Sequence, residues 1–207
     1  MSIPPRRKRP SGTETGRTRQ REDTKRRLVE AAEAMIRERG YDDVSVTDIA
    51  RRAGVVPSLI NTYFNGKAGL LYAIIQSHND PQLAATRAAA ATPGTARERL
   101  ERIIAVWAEG DLARGKLLGP LIALTWYWPP ATEAQNIRDR APFFACVQEV
   151  LREGAAAGEF RPMPQGDTCE VIFAVYNWSL RPGIFSGATA AECVALAMAR
   201  LDLLLKP

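Results

Sequence analysis

Residues 47–71 read TDIARRAGVVPSLINTYFNGKAGLL, and the reading of this stretch decides the fold. Ser45 stands just ahead of it as a helix cap, with Asp48 three residues on as a capping-box partner. The helix begun there continues through Ala53 and stops at Gly54, a residue free to take positive φ. Pro57 suits the first position of the next helix, where its missing N–H costs nothing. That helix is predicted over Pro57 to Phe64, and Asn65-Gly66 supplies the turn into another from Lys67 to about His78. Two short helices joined by a tight turn need small residues where they cross and apolar residues facing a third helix. Ile49, Ala50, Ala53, Gly54, Val55 and Ile60 stand at those places. The second helix of such a pair is presented outward, free to lay its N-terminal residues on base edges in a major groove.

Upstream, a helix is predicted from about Glu22 to Arg39. Leu28, Ala31, Ala32, Met35 and Ile36 form one apolar stripe on it, and Gly40 ends it. Residues 1–27 carry ten Lys/Arg against three Asp/Glu, a net of +7, while the rest of the chain nets −2. Pro4, Pro5, Pro10 and Gly12 point to disorder, so residues 1–21 are read as a basic, disordered arm. Such a run is often only a solvated segment. Beside a DNA-binding motif it would also attract phosphates without reading sequence.

Downstream the chain is helix after helix, with no strand-like alternation of useful length. Thr92-Pro93-Gly94 breaks an alanine-rich segment, and a helix from about Thr95 places Leu100, Ile103, Ile104 and Trp107 on one face. A nearly continuous apolar helix is predicted from Gly115 to Trp128, interrupted at Gly119-Pro120. Thr132 with Gln135 and Asp167 with Glu170 read as the caps of two more, the latter ending at Arg181-Pro182-Gly183. Thr189 with Glu192 caps the last helix, whose Val194, Ala197, Met198, Leu201, Leu204 and Leu205 recur in a 3-4 pattern. The apolar stripes of the last two helices fit either intramolecular core or pairing with a second copy in a four-helix arrangement.

The quoted stretch, preceded by a helix ending in RERGYDDVSV, resembles the TetR family of transcription regulators over about Thr24 to Ile75. The resemblance implies an all-α fold with an N-terminal three-helix helix-turn-helix domain and a C-terminal helical bundle domain, paired as an Ω-shaped homodimer. On that expectation residues 22–79 bind DNA and residues 80–207 dimerise and bind an effector. The resemblance also implies repression at a palindromic operator in double-stranded DNA, relieved by a small molecule. It places Pro57, Ser58, Leu59, Asn61 and Thr62 on the recognition helix, and Thr47, Tyr63 and Lys67 at positions that hold the DNA backbone. The chain departs from the common family pattern at Val56, Asn61 and Ala68, which leaves the operator sequence open. In chemical terms Asn61 is the best base reader, since its amide can pair bidentately with adenine; the plain alternative is a solvated helix residue.

The effector is expected to be apolar or aromatic, because the body gathers most of the aromatic residues. Trp107, Trp126, Phe144 and Tyr176 are candidates for a pocket, with Arg181 able to neutralise an acid, although aromatics at helical spacing also serve as plain core. Trp126 and Trp128 would lie about 200° apart on one helix, so both cannot face inward.

Other classes lack raw material. His78 is the single histidine, and no G-x-S-x-G, phosphate-binding glycine loop or H-E-x-x-H occurs, so no catalytic residue, metal ligand or cofactor is assigned. Cys146, Cys169 and Cys193 form no C-x-x-C pair and read as small hydrophobes in a reducing compartment. No apolar run is long enough to span a bilayer and no secretory signal is visible, so a cytoplasmic protein is expected. The competing reading within the same class is a ligand-independent DNA-binding protein, a constitutive repressor or a chromosome-organising factor.

Overall fold

The structure, a computed structural model, describes residues 12–207, and among the described residues every regular element is helical. Helix α1 spans Gly12–Arg39 and crosses α2 (Val46–Ala53) and α4 (Lys67–Gln76), with α3 (Ser58–Phe64) between these two in sequence. Their apolar stripes meet in one core, in which Leu28, Ala32, Ile36, Ile49, Ala50, Ile60, Leu71 and Ile74 are buried. The expected stripe of α1 is thus the inward face.

The body follows as α5 (Asn79–Ala91), α6 (Ala96–Leu112), a 3-10 turn at Gly115–Leu117, α7 (Leu118–Leu124), α8 (Pro130–Ala156), α9 (Gln165–Ser179), α10 (Arg181–Ser186) and α11 (Ala190–Leu205). Its core gathers Leu100, Ile104, Trp107, Val150, Ile172, Tyr176, Ala197 and Leu201. The two cores are joined at the 3-10 turn. Leu117 is buried in the first core, Lys116 Nζ donates to the Glu38 carbonyl at 2.9 Å, and Arg37 donates to the Ala113 carbonyl at 3.3 Å. The body therefore holds the end of α1 from which α2 departs.

Several expectations are corrected. Helix α1 starts at Gly12, ten residues before Glu22, so residues 12–21 of the expected disordered arm are helical; the remainder of the arm lies outside the described residues. No proline follows Pro10 before Arg39, and Glu22 and Asp23 pair with Lys25, Arg26 and Arg27 at i,i+3 and i,i+4 spacing. The apolar helix foreseen to Trp128 ends at Leu124 and is not broken at Gly119-Pro120, because Pro120 falls in the first turn of α7 where no N–H is needed. Thr132 and Asp167 are not caps. The Pro129 carbonyl accepts the Thr132 and Glu133 N–H groups at 2.8 and 3.0 Å, and the Pro164 carbonyl accepts that of Thr168 at 3.0 Å. Each of those helices has therefore begun before the residue that resembled its cap. Arg181-Pro182-Gly183 opens α10 instead of ending the previous helix, Pro182 again lying in a first turn. The cap of α11 is as expected, a reciprocal box between Thr189 and Glu192. Its stripe is core of the same chain: Val194, Ala197, Met198, Leu201 and Leu205 are buried without a second copy.

Candidate nucleic-acid interface

The turn between α2 and α3 is built as the residue types require. Ser45 Oγ accepts the Asp48 N–H at 3.1 Å and donates to the Asp48 carboxylate at 2.6 Å, so one half of the expected box forms and the other becomes a side-chain pair. At the far end Gly54 caps α2 with φ 67°, ψ 39°, and the Val55 N–H reaches the Ala50 carbonyl at 3.0 Å. Arg27 on α1 donates to the Ala53 carbonyl at 3.1 Å, clamping this end to the long helix. Pro57, at φ −58° and ψ −30°, turns the chain into α3 one residue before the helix proper.

Helix α3 buries only Ile60 completely, at 0% exposure. Pro57, Ser58, Asn61 and Thr62 are exposed, and at i, i+1, i+4 and i+5 they share the outward face. Leu59 and Tyr63 are half-buried at its flanks. The Thr62 hydroxyl is turned back onto the Ser58 carbonyl at 3.0 Å. The Asn61 amide, among the described residues, has no hydrogen-bond partner. Thr47 is exposed at the start of α2.

Lys67 is placed differently from a free phosphate ligand. Its Nζ donates to the Tyr41 carbonyl and lies 4.0 Å from the Tyr41 ring centroid, half-buried. Desolvation lowers its pKa, partly offset by Asp42 and Asp43. Tyr63 carries the Arg21 guanidinium over its ring at 5.4 Å.

Sequence reasoning missed one residue that sets the pose of α3. A Cβ on Gly69 would sit 1.7 Å from the Phe64 carbonyl oxygen, so only glycine lets α4 start this close to the last turn of α3. Nothing local marks Gly69; its need is created by a neighbouring helix end.

The five pocket candidates divide. Trp107 packs edge-on against Tyr176 with ring centroids 5.5 Å apart, and Phe173 links Tyr176 to Phe144 at 6.4 and 5.8 Å. Polar ends in this cluster are satisfied: Trp107 Nε1 donates to Thr86 Oγ1 at 3.1 Å and the Tyr176 hydroxyl donates to Asp111 at 2.6 Å. Burial pushes the Asp111 carboxyl and the Tyr176 phenol up from their usual ranges. Trp126 lies outside the cluster, 85% exposed on the loop after α7, whereas Trp128 is buried against Tyr72. The two tryptophans diverge as expected, but from a loop. Arg181 is also exposed, stacked on Trp178 at 4.7 Å and Phe185 at 5.0 Å. An open groove of about 420 Å³ between α6 and α11, lined by Glu98, Glu101, Arg102, Glu109 and Val194, includes none of the five.

Cys169 and Cys193 are buried and Cys146 half-buried, all free; burial pushes the Cys169 thiol up to about 11, away from reactivity. Among the described residues no helix is long and apolar enough to cross a membrane.

Comparison with known proteins places this geometry. Residues 28–74 match the bacterial regulatory proteins of the tetR family. The chain is 30% identical over 191 residues to the HTH-type transcriptional regulator BetI 2 of Chromohalobacter salexigens, covering 87% of this chain and 88% of that protein. It is 40% identical over 115 residues to BetI of Rhizobium meliloti, spanning 54% of this chain and only about half, 53%, of that relative. Among solved structures, Thermus thermophilus FadR in complex with lauroyl-CoA aligns with a TM-score of 0.68 at 21% identity, over 86% of this chain and 93% of that one. The regulator PfmR, also from Thermus thermophilus, aligns with a TM-score of 0.62 at 22% identity, over 86% and 96%.

Proposed function

The chain belongs to the TetR family of DNA-binding transcriptional regulators, and from that premise we propose that it is a cytoplasmic repressor that binds a palindromic operator as a homodimer and is released by a small apolar or aromatic effector. The observation that carries this reading is the outward face of α3, where Asn61 offers an amide without a partner among the described residues, above a fully buried Ile60. In the proposal residues 22–79 form the reading unit and residues 80–207 the responding body. Asn61 pairs with a base edge, flanked by Pro57, Ser58, Leu59 and Thr62, while Thr47 and Tyr63 hold phosphates. Lys67 takes the same role by turning its ammonium from the Tyr41 carbonyl towards a phosphate.

The dimer surface moves from the α11 stripe, which is core, to the outer faces of α9 and α11. Val171, Trp178 and Leu203 are exposed there, and pairing two copies in a four-helix arrangement would cover them. The effector is assigned to the region of Trp107, Phe144 and Tyr176, and the acyl chain of the ligand bound by the Thermus FadR is an example of the chemistry meant. Trp126 and Arg181 are left out of that site by their exposure.

A second reading, a repressor that answers to no ligand, is favoured by the satisfied polar ends of the aromatic cluster, which need nothing from outside. Selection of bound sequences from random DNA tests the main reading. A palindrome with half-sites about one helical turn apart is expected; recovery of no preferred sequence would remove it. A tryptophan-fluorescence and operator-release screen of hydrophobic compounds then separates the two readings.

A further inference from the structure

The N-terminal half of α1 is built unlike the rest of the helix. Residues 16–23 are all exposed, and burial begins only at Thr24. Apart from the Arg21 contact with Tyr63, these turns gain nothing from packing, and isolated turns are marginal in water. Yet their inward direction is not random in composition. At about 100° per residue, Arg17 and Arg21 fall within about 20° of the direction of Leu28, whereas Arg19 points to the opposite side. The apolar stripe that seats α1 on the first core is therefore prolonged as a basic stripe, overhanging by about 16 Å from Leu28 to Arg17.

Two further observations bear on what this overhang can meet. Most cations in this part of the chain are neutralised: Lys25, Arg26, Arg27, Arg37, Arg51 and Arg52 each pair with a carboxylate. Among the described residues no carboxylate pairs with Arg17, Arg19, Arg21 or Arg39, and of these Arg17 and Arg21 lie on the overhang in the Leu28 direction. In addition, Arg21 lies over the ring of Tyr63, at the flank of α3, so the basic stripe is continuous with the outward face of the recognition helix.

We propose that the overhanging turns of α1 are a second DNA-contact surface, in which Arg17 and Arg21 engage backbone phosphates of the same duplex that α3 reads. The inference rests on the reading of α3 as a recognition helix. Phosphate contacts add affinity and fix register without reading bases, and each releases counterions. Helix α1 thereby widens the footprint of each subunit beyond what the helix-turn-helix covers.

The test uses the full-length chain on its selected operator, comparing wild type with Arg17→Gln/Arg21→Gln and with Arg19→Gln, in salt titrations and hydroxyl-radical footprints. Each lost phosphate contact should flatten the slope of log affinity against log salt by about 0.9, so the double variant should flatten it by up to about 3.6 per dimer. It should also lose protected backbone positions, with base preference unchanged and Arg19→Gln close to wild type. Arg17→Gln alone, at an exposed site on an overhanging turn where the core is not disturbed, should give about half the change in slope. An equal effect from Arg19→Gln would overturn the inference in favour of diffuse charge. Unchanged slope and footprint in the double variant, with wild type still binding its operator, would overturn it and leave the reading of α3 standing. If wild type selects no sequence at all, both fall.

Discussion

The outward face of α3 and the aromatic cluster of the body differ in how their polar groups end. On α3 the Asn61 amide has no partner among the described residues, and Pro57, Ser58 and Thr62 on the same face are exposed. In the body the Trp107 indole N–H and the Tyr176 hydroxyl each find a partner within the chain, at 3.1 and 2.6 Å. A buried polar group without a partner is costly, whereas an exposed one is held in reserve by water. In the proposed reading the first region exchanges water for a base edge, whereas the Trp107 and Tyr176 polar ends of the second are already met within the chain. A ligand entering the aromatic cluster must displace packed rings, while a duplex meeting the exposed face of α3 displaces water there and turns Lys67 from the Tyr41 carbonyl.

Substitutions can break or sharpen this contrast. The largest effect is expected from Trp107→Ala, which should lower stability by about 3–5 kcal/mol in denaturant unfolding, because the ring packs on Tyr176 and Phe143 in a full core. A loss under about 1 kcal/mol would mean that the cluster is loosely packed and has room for a ligand. Gly69→Ala comes next. Its methyl group must move the Phe64 carbonyl, so operator affinity should drop by about tenfold or more, equivalent to about 1.4 kcal/mol, with the helical signal retained. Affinity equal to wild type would show that the pose of α3 tolerates a shift.

How much of this is legible in the sequence follows from where each signal resides. Ser45, Gly54, Pro57 and Asn65-Gly66 act within three or four residues of themselves, and they mark the helix-turn-helix correctly. Thr189 with Glu192 is local in the same way. Thr132 and Asp167 carry the same kind of signal but are overridden by Pro129 and Pro164, whose carbonyls start those helices earlier. The role of Gly69 depends on a helix end that folds against it, and no spacing rule reveals it. The stripe on α11 states that one face is buried without stating by what. Trp126 and Arg181 join the pocket candidates by residue type alone, and type does not distinguish a loop tip from a core.

The smallest effect lies far from DNA. Arg97 on α6 binds Asp202 on α11, with Nε to Oδ1 at 2.9 Å, and this bond together with Lys206 holds the Asp202 carboxyl below its ordinary pKa. The folded-state pKa is depressed, so the contribution is present above the unfolded value near 4 and is lost as pH falls through the folded one. Asp202→Asn should cost about 1 kcal/mol or less at pH 7 and remove the corresponding part of the stability lost on acidification below pH of about 4. Identical acid-unfolding profiles for wild type and variant would show that the pair contributes nothing.

The contrast between the two regions stands or falls at Asn61. Wild type and Asn61→Ala should be titrated against the selected operator and against its single-base variants at fixed salt. The variant is expected to keep wild-type stability and salt dependence while losing about 1–3 kcal/mol of discrimination at one base pair in each half-site. Unaltered discrimination at every position would contradict the assignment of α3 as the helix that reads sequence through this side chain.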